Sequence, residues 1–343
     1  MTTPPMPVPA RSPEQDQFAA SLHDLLGAAA PDAARRWAAG DHSPGLALWR
    51  GLAGLGVTGL AVPGRWGGAD ASPMDVVVAC EELGHHALPG PVAESLAAAP
   101  ALLAALGDDA LCARWLPGLA AGEVIATVAL PPRLPHAVDA DVAGLVLLAG
   151  PEALHEGTPG MRHRSVDGGR WLFELSAGPV LARGPAVYPA RARALEIGTL
   201  SSAAQLLGAG QALLEQTVRH ASQRVQFGHP VGAFQAVQHR LADVAIGLEF
   251  ARPLLYAAAI ALGAARPAAA RDVSAAKVAC ADAAHRAARA ALQVHGAIGY
   301  TQELGLGLWL TKVRALLPAW GTQAEHRALV LEALSADAEA AWS

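Results

Sequence analysis

Two stretches, Leu241 to Leu262 and Ala268 to Leu292, do most to limit the folds open to this chain. Both are long, rich in alanine and only weakly amphipathic. Alanine lets helix axes approach closely, so a tight four-helix bundle is the natural packing for such segments. A third long pattern precedes them: Gly198 to Arg219 carries Leu200, Ala204, Leu207, Leu213 and Leu214 along one side. Shorter helical segments follow at Leu306–Leu317 and Thr322–Leu334.

The N-terminal part is also helical in its periodicity. Phe18, Leu22, Leu25 and Leu26 form one stripe, and Leu46, Leu48, Trp49, Leu52 and Leu55 another. Ser43, Ser72 and Asp108 or Asp109 stand where helix N-terminal caps belong, the two serines with proline next in line. Between Glu123 and Tyr188 the texture changes. Val124 to Leu130, Leu145 to Leu148 and Trp171 to Leu175 are short strand-like runs separated by Gly, Pro and Asp. With 343 residues, 52% of them hydrophobic, the chain can bury two or three cores. The expected fold class is mostly α with a small β domain: a disordered tail at 1–12, an N-terminal helical domain at 13–121, a small β domain at 122–190, and a C-terminal four-helix bundle at 191–343.

Net charge is −5, which leaves no electrostatic footprint for nucleic acid or an anionic membrane. The longest apolar run, Pro253 to Ala265, is bounded by Arg252 and Arg266 and is too short to span a bilayer. Cys80, Cys112 and Cys280 are scattered within helical patterns, which argues against a disulfide framework or a zinc site and for reduced cytosol. His85-His86 lacks the i, i+4 spacing of helical metal ligands, so no metal is expected. The glycines from Gly56 to Gly68 form no Gly-x-Gly-x-x-Gly or Walker pattern after a strand. A cytoplasmic protein is expected.

The chemistry concentrates in the loop between the first two long C-terminal patterns, Arg224-Val-Gln-Phe-Gly-His-Pro-Val-Gly-Ala-Phe-Gln. An arginine beside an aromatic suits a phosphate plus a flat ring, because guanidinium forks phosphate oxygens bidentately. A helix–helix turn with a surface arginine is the plainer reading of the same residues. The run from Arg224 to Asp243 resembles the flavin-contacting segment of the acyl-CoA dehydrogenase family. Gln293-Val-His-Gly-Ala-Ile-Gly-Tyr-Thr-Gln-Glu303 and Ala319-Trp-Gly-Thr322 are similar to two further segments of that family. The order Trp49, Val62-Pro, Trp66-Gly-Gly, Glu81-Glu-Leu-Gly84 resembles its N-terminal domain. The resemblance implies FAD lying across a dimer interface, with Arg224, Gln226, Phe227, Phe234 and Gln235 reaching the adenine-diphosphate part of a neighbour's flavin. It carries Gln293, Gly296, Ala297 and Thr322 over as further cofactor contacts.

The same resemblance implies removal of a C2 proton from an acyl-CoA thioester by a glutamate, with hydride passing from C3 to the flavin. Neither position the family uses for that base carries one. One is Trp320, whose indole N–H can only donate; the other is Gly198, and Glu196, two residues away, is rotated by about 200° around the helix. The Thr-Glu-Pro turn expected after Leu130 reads Pro131-Pro-Arg-Leu-Pro135, and the family's Arg-Asp is replaced by Thr311-Lys312. Residues facing a neighbour's flavin are kept while those for this chain's own are lost. That pattern implies the base-less subunit of a heteromeric acyl-CoA dehydrogenase acting on acyl-CoA, paired with a complete second subunit, with an electron-transfer flavoprotein as a possible acceptor. Alternatives are a self-sufficient dehydrogenase using Glu196 or Glu303, a flavin oxygenase on the same fold, and a non-enzymatic scaffold.

Overall fold

Several helices begin where a local side chain satisfies free backbone N–H groups. Residues 9–300 and 305–342 are described by a computed structural model. Arg11 and Ser12, expected in the tail, are both engaged by the fold. Ser12 and Gln15 close a capping box on α1 (Pro13–Leu26), and Arg11 ion-pairs with Glu81 at 2.7 Å. α2 (Ala29–Ala38) and α3 (Ser43–Gly54) follow. α3 differs from expectation at its cap: Asp41, not Ser43, accepts the free Ser43 N–H. Ser72 and Asp75 form a second capping box on α4 (Pro73–His85). A π-turn at Glu94–Ala98 leads into α5 (Ala99–Leu106), and the Asp108 carboxylate caps α6 (Asp109–Ala120).

The β domain is one sheet of β1 (Ala126–Ala129), β2 (Ala137–Val138), β3 (Leu145–Ala149), β4 (Ala153–Arg164) and β5 (Trp171–Arg183), in the order β1-β3-β4-β5-β2. β1 and β3 are parallel and the other pairs antiparallel. β4 has no counterpart among the strand-like runs of the sequence. Gly157, Pro159 and Gly160 break its alternation, and its pairing with β5 shifts register at three places. β5 likewise extends eight residues beyond the expected run, into a largely exposed ribbon.

The C-terminal bundle is built from α7 (Val187–Gln223), α8 (Gln235–Gly263) and α9 (Ala269–His295), with α10 (Gly307–Leu316) and α11 (Gln323–Trp342) on α7 and α9. Between α7 and α8, the strands β6 (Val225–Gln226) and β7 (His229–Pro230) make a small hairpin. α8 is long and apolar enough to cross a membrane by length and composition, but in the bundle it packs on α9 and its Arg252 ion-pairs with Glu81.

The Glu81-Glu-Leu-Gly84 motif has a direct structural reason. α4 crosses α7 at backbone contact: a Cβ on Gly84 would lie 2.2 Å from the Gln205 carbonyl oxygen, and one on Gly208 would lie 1.8 Å from that of Glu81. Glu81 itself is buried, and it gathers Arg11, Arg252 and the Tyr256 hydroxyl (3.0 Å) around its carboxylate. One satisfied charge thus ties the N-terminal domain to α8.

Candidate functional site

The loop after α7 is organised by a two-residue turn. Phe227 and Gly228 both have positive φ, +53° and +81°, which is the type I′ geometry that matches the twist of a tight hairpin. The turn lifts Phe227 off the surface, where it is 90% exposed, and sets its ring 6.4 Å from that of Phe234 at 83°. Arg224 ends α7, with its carbonyl accepting the Val231 N–H at 2.7 Å. Its side chain, and those of Gln226 and Gln235, are also exposed. The end of α9 lies alongside. His220, in the last turn of α7, stacks on His295 with centroids 4.2 Å apart. This stack brings Gln293, Gly296 and Ala297, all exposed, to the same end of the bundle as the hairpin. Gly296 ends α9 with φ +63° and has no atom within 4 Å of a built Cβ, so its backbone stands open to a flat ligand.

Thr322 is elsewhere. It caps α11, and its hydroxyl donates to Glu325 at 2.9 Å in a capping box that already occupies it. Gln323 and Arg327 on that helix both bond Asp282, three turns before Gln293 along α9. Thr322 instead borders a cleft of about 680 Å³ between the β domain and α10, lined also by Arg133, His136, Arg170 and Arg314. The Pro131–Arg133 segment is a tight turn closed by a Leu130–Leu134 bridge and held by Arg191 on the Pro131 carbonyl at 2.7 Å.

The two positions that lack a base meet each other. Trp320 is 1% exposed, and a Cβ built on Gly198 would fall 2.3 Å from its indole ring. The glycine therefore leaves the room that the indole fills. Trp320 adopts φ +63°, and its carbonyl accepts from Thr199 at 3.3 Å and lies 3.0 Å from His326 Nε2. Glu196 lies off this contact. It borders a separate cleft with Arg271, Ser274 and His326, and its closest charge is Arg193 at 3.8 Å. Partial burial raises its pKa, with Arg193 opposing. Glu303 lies outside the described residues.

Beneath Trp320 is a carboxylate that motif reading passes over. Glu94 is 3% exposed, lies beside the indole, and has Arg170 at 3.9 Å. Burial pushes its carboxyl above the usual range, against the pull of Arg170. The signal for it was a lone acid inside the apolar run Val92 to Leu106. Both lysines of the chain are also buried in this region. Lys312 donates to the Leu88 carbonyl at 2.5 Å, and Lys277 to Ser202 Oγ and the Leu316 carbonyl at 2.9 Å each. Thr311-Lys312 thus serves internal packing.

Family models for the acyl-CoA dehydrogenase N-terminal domain and C-terminal domain match residues 12–123 and 189–335. Acyl-CoA dehydrogenase IpdE2 of Mycobacterium tuberculosis is 32% identical over 83% of this chain and 85% of its own length. The chain belongs to the acyl-CoA dehydrogenase family. Solved structures with the same fold include the ChsE4-ChsE5 complex from Mycobacterium tuberculosis, with a TM-score of 0.79 and 23% identity, covering 95% of this chain and 98% of that one. The Tcur3481-Tcur3483 steroid ACAD matches equally well, with a TM-score of 0.79, 23% identity and the same coverage of this chain, and 99% of its own.

Acyl-CoA dehydrogenases are FAD-dependent oxidoreductases, and this acyl-CoA dehydrogenase chain offers FAD two unequal faces. The hairpin and the α9 end fit one: among the described residues, a guanidinium, exposed aromatics, amides and an open glycine stand unused by the fold. The Trp320 side fits poorly, since Thr322 is committed to Glu325 and the indole occupies the space above Gly198.

Proposed function

We propose that this chain is the base-less subunit of a two-component acyl-CoA dehydrogenase, completing the flavin site of a partner that holds the catalytic carboxylate. The packing of Trp320 onto Gly198 carries the reading. One side chain closes both positions from which the family's base acts, and an indole N–H can only donate, so it cannot accept a proton. Bound FAD would take up the hydride lost from C3 of the thioester. The residues of this chain would hold and screen it: Arg224 against pyrophosphate charge, Phe227 and Phe234 against the adenine, Gln293 as donor and acceptor, and Gly296 and Ala297 as places of close backbone approach.

The surface of the bundle supports a partner. Ile246, Phe250 and Leu254 recur every fourth residue on α8 and are 53%, 74% and 48% exposed. They edge a groove of about 920 Å³ between α8 and α9 that also carries Arg240, Arg286 and Arg289. Such an apolar stripe rimmed by charge marks an interaction surface. In keeping with the ChsE4-ChsE5 complex and the steroid ACAD of similar fold, the occupant in this reading is a second, complete acyl-CoA dehydrogenase and the substrate a polycyclic acyl-CoA. An electron-transfer flavoprotein is the expected acceptor.

Purifying the chain alone and co-expressed with a complete acyl-CoA dehydrogenase encoded beside it tests the proposal. Flavin absorbance and turnover should appear only in the co-purified complex, and Arg224→Ala in that complex should lower flavin content. A yellow, active protein from the single chain defeats the proposal.

A further inference from the structure

Three histidines and a glutamate, one from α1 and three from the C-terminal end of α4, converge on one point. They are His23 on α1, Glu82 and His85 on α4, and His86 at its C-terminal cap, and each places one ligand atom within 4.8 Å of the others. His86 Nε2 is 3.0 Å from His23 Nδ1, and His23 Nδ1 is 3.4 Å from Glu82 Oε2. Ligand atoms bound tetrahedrally to zinc at its usual 2.0–2.1 Å lie about 3.3 Å apart, so these spacings are already those of a coordination shell. The rings meet edge-on: His23 with His86 at 69°, and His85 with His86 at 66°.

The outer partners are also in place. His85 Nε2 lies 3.0 Å from the Glu215 carboxylate on α7, which fixes the proton on that nitrogen. Its Nδ1 is then a lone pair, and it is buried with no hydrogen-bond partner. His86 turns its Nε2 toward His23. A network of hydrogen bonds alone would satisfy His23 and His86 but leave the His85 nitrogen stranded; a cation satisfies all of them. The Glu82 carboxylate has Arg11 at 3.7 Å on its other oxygen, which leaves Oε2 turned to the imidazoles. His23 is half exposed, so an ion can enter from solvent.

We infer that His23, Glu82, His85 and His86 form a closed four-ligand site for a zinc-type divalent cation that fastens α1 and α4, with Glu215 as the carboxylate that orients His85. Imidazole nitrogens with one carboxylate favour zinc over calcium or magnesium. Four protein ligands leave no open position, so the ion's role is structural and separate from the flavin chemistry. The site shares no residue with the flavin face, so it stands whether or not the partner proposal does.

The test uses the full chain, tag-free, stripped with a chelator, alone and in its complex. Titration with cobalt(II) should give one ion per chain with the intense visible bands of tetrahedral coordination in a difference spectrum. Zinc should bleach those bands and raise the unfolding temperature. His23→Gln, whose side chain is on the surface, should unfold at the wild-type temperature without metal yet lose the bands and the zinc-dependent rise. Glu215→Gln should weaken zinc affinity about 10- to 100-fold. His163→Gln, in a more exposed grouping with His136 and Glu174, should change nothing. Absence of stoichiometric cobalt uptake overturns the inference, as does uptake that survives His23→Gln or disappears in His163→Gln.

Discussion

If one indole fills the room that Gly198 leaves, then Gly198→Ala must change the sign of its effect with the residue at 320. In the wild-type background the new Cβ meets three indole carbons at 2.3, 2.4 and 2.5 Å. The ring has little room to retreat. It is 1% exposed, and its backbone carbonyl is bonded by Thr199 and lies 3.0 Å from His326 Nε2. Overpacking of this kind costs about 1–3 kcal/mol, and so tight an overlap belongs at the upper end. Against it, alanine gains about 1 kcal/mol over glycine in a helix interior. The net expectation is a loss of about 2 kcal/mol. With Trp320→Ala, itself costly by about 3–5 kcal/mol, the overlap is gone and only the helix gain remains. Gly198→Ala should then stabilise by about 1 kcal/mol, a coupling of about 3 kcal/mol between the two sites. Denaturant midpoints of the four proteins, followed by far-UV circular dichroism, give the cycle. The same sign and size of effect in both backgrounds would refute the claim that Trp320 closes this position.

Two further outcomes follow from the same geometry. Burial pulls the Lys277 ammonium down to about 7, so between there and its ordinary 10.5 the unfolded chain binds more protons than the folded one, and stability from this group rises with pH by up to about 1.4 kcal/mol per unit. Lys277→Met should therefore gain on wild type as pH falls from 9.5 to 6; a stability difference independent of pH across urea titrations would contradict the burial argument. Phe227→Asn places a residue suited to positive φ in the hairpin turn. It should leave the melting temperature unchanged or slightly higher while lowering flavin retention in the complex, and full flavin retention would remove Phe227 from the cofactor face.

Much of the fold was readable because helices of this kind announce themselves locally. Ser72 with Asp75, and Asp108 before α6, cap the helices they precede, and the alanine-rich segments became the bundle. The β domain was readable only in its buried strands. Leu145 to Leu148 is a continuous apolar run, whereas β4 exposes much of its length and breaks its own alternation with glycine and proline. Even the flavin-face residues within each motif were visible as motifs, but not that His220 stacks on His295 and so gathers two of them at one end.

The sequence by itself determined the element types, the family motifs, and the absence of a carboxylate at 198 and 320, because these depend on identity and on spacing within a single segment. Tertiary structure decided that Gly198 and Trp320 are one feature instead of two, since residues more than a hundred positions apart meet only when α7 packs under the turn before α11. It also brought His23 to His85 and His86. Glu82, His85 and His86 share α4 and its cap, but the fourth member, His23, comes from α1, and only the packing of α1 on α4 brings it to them.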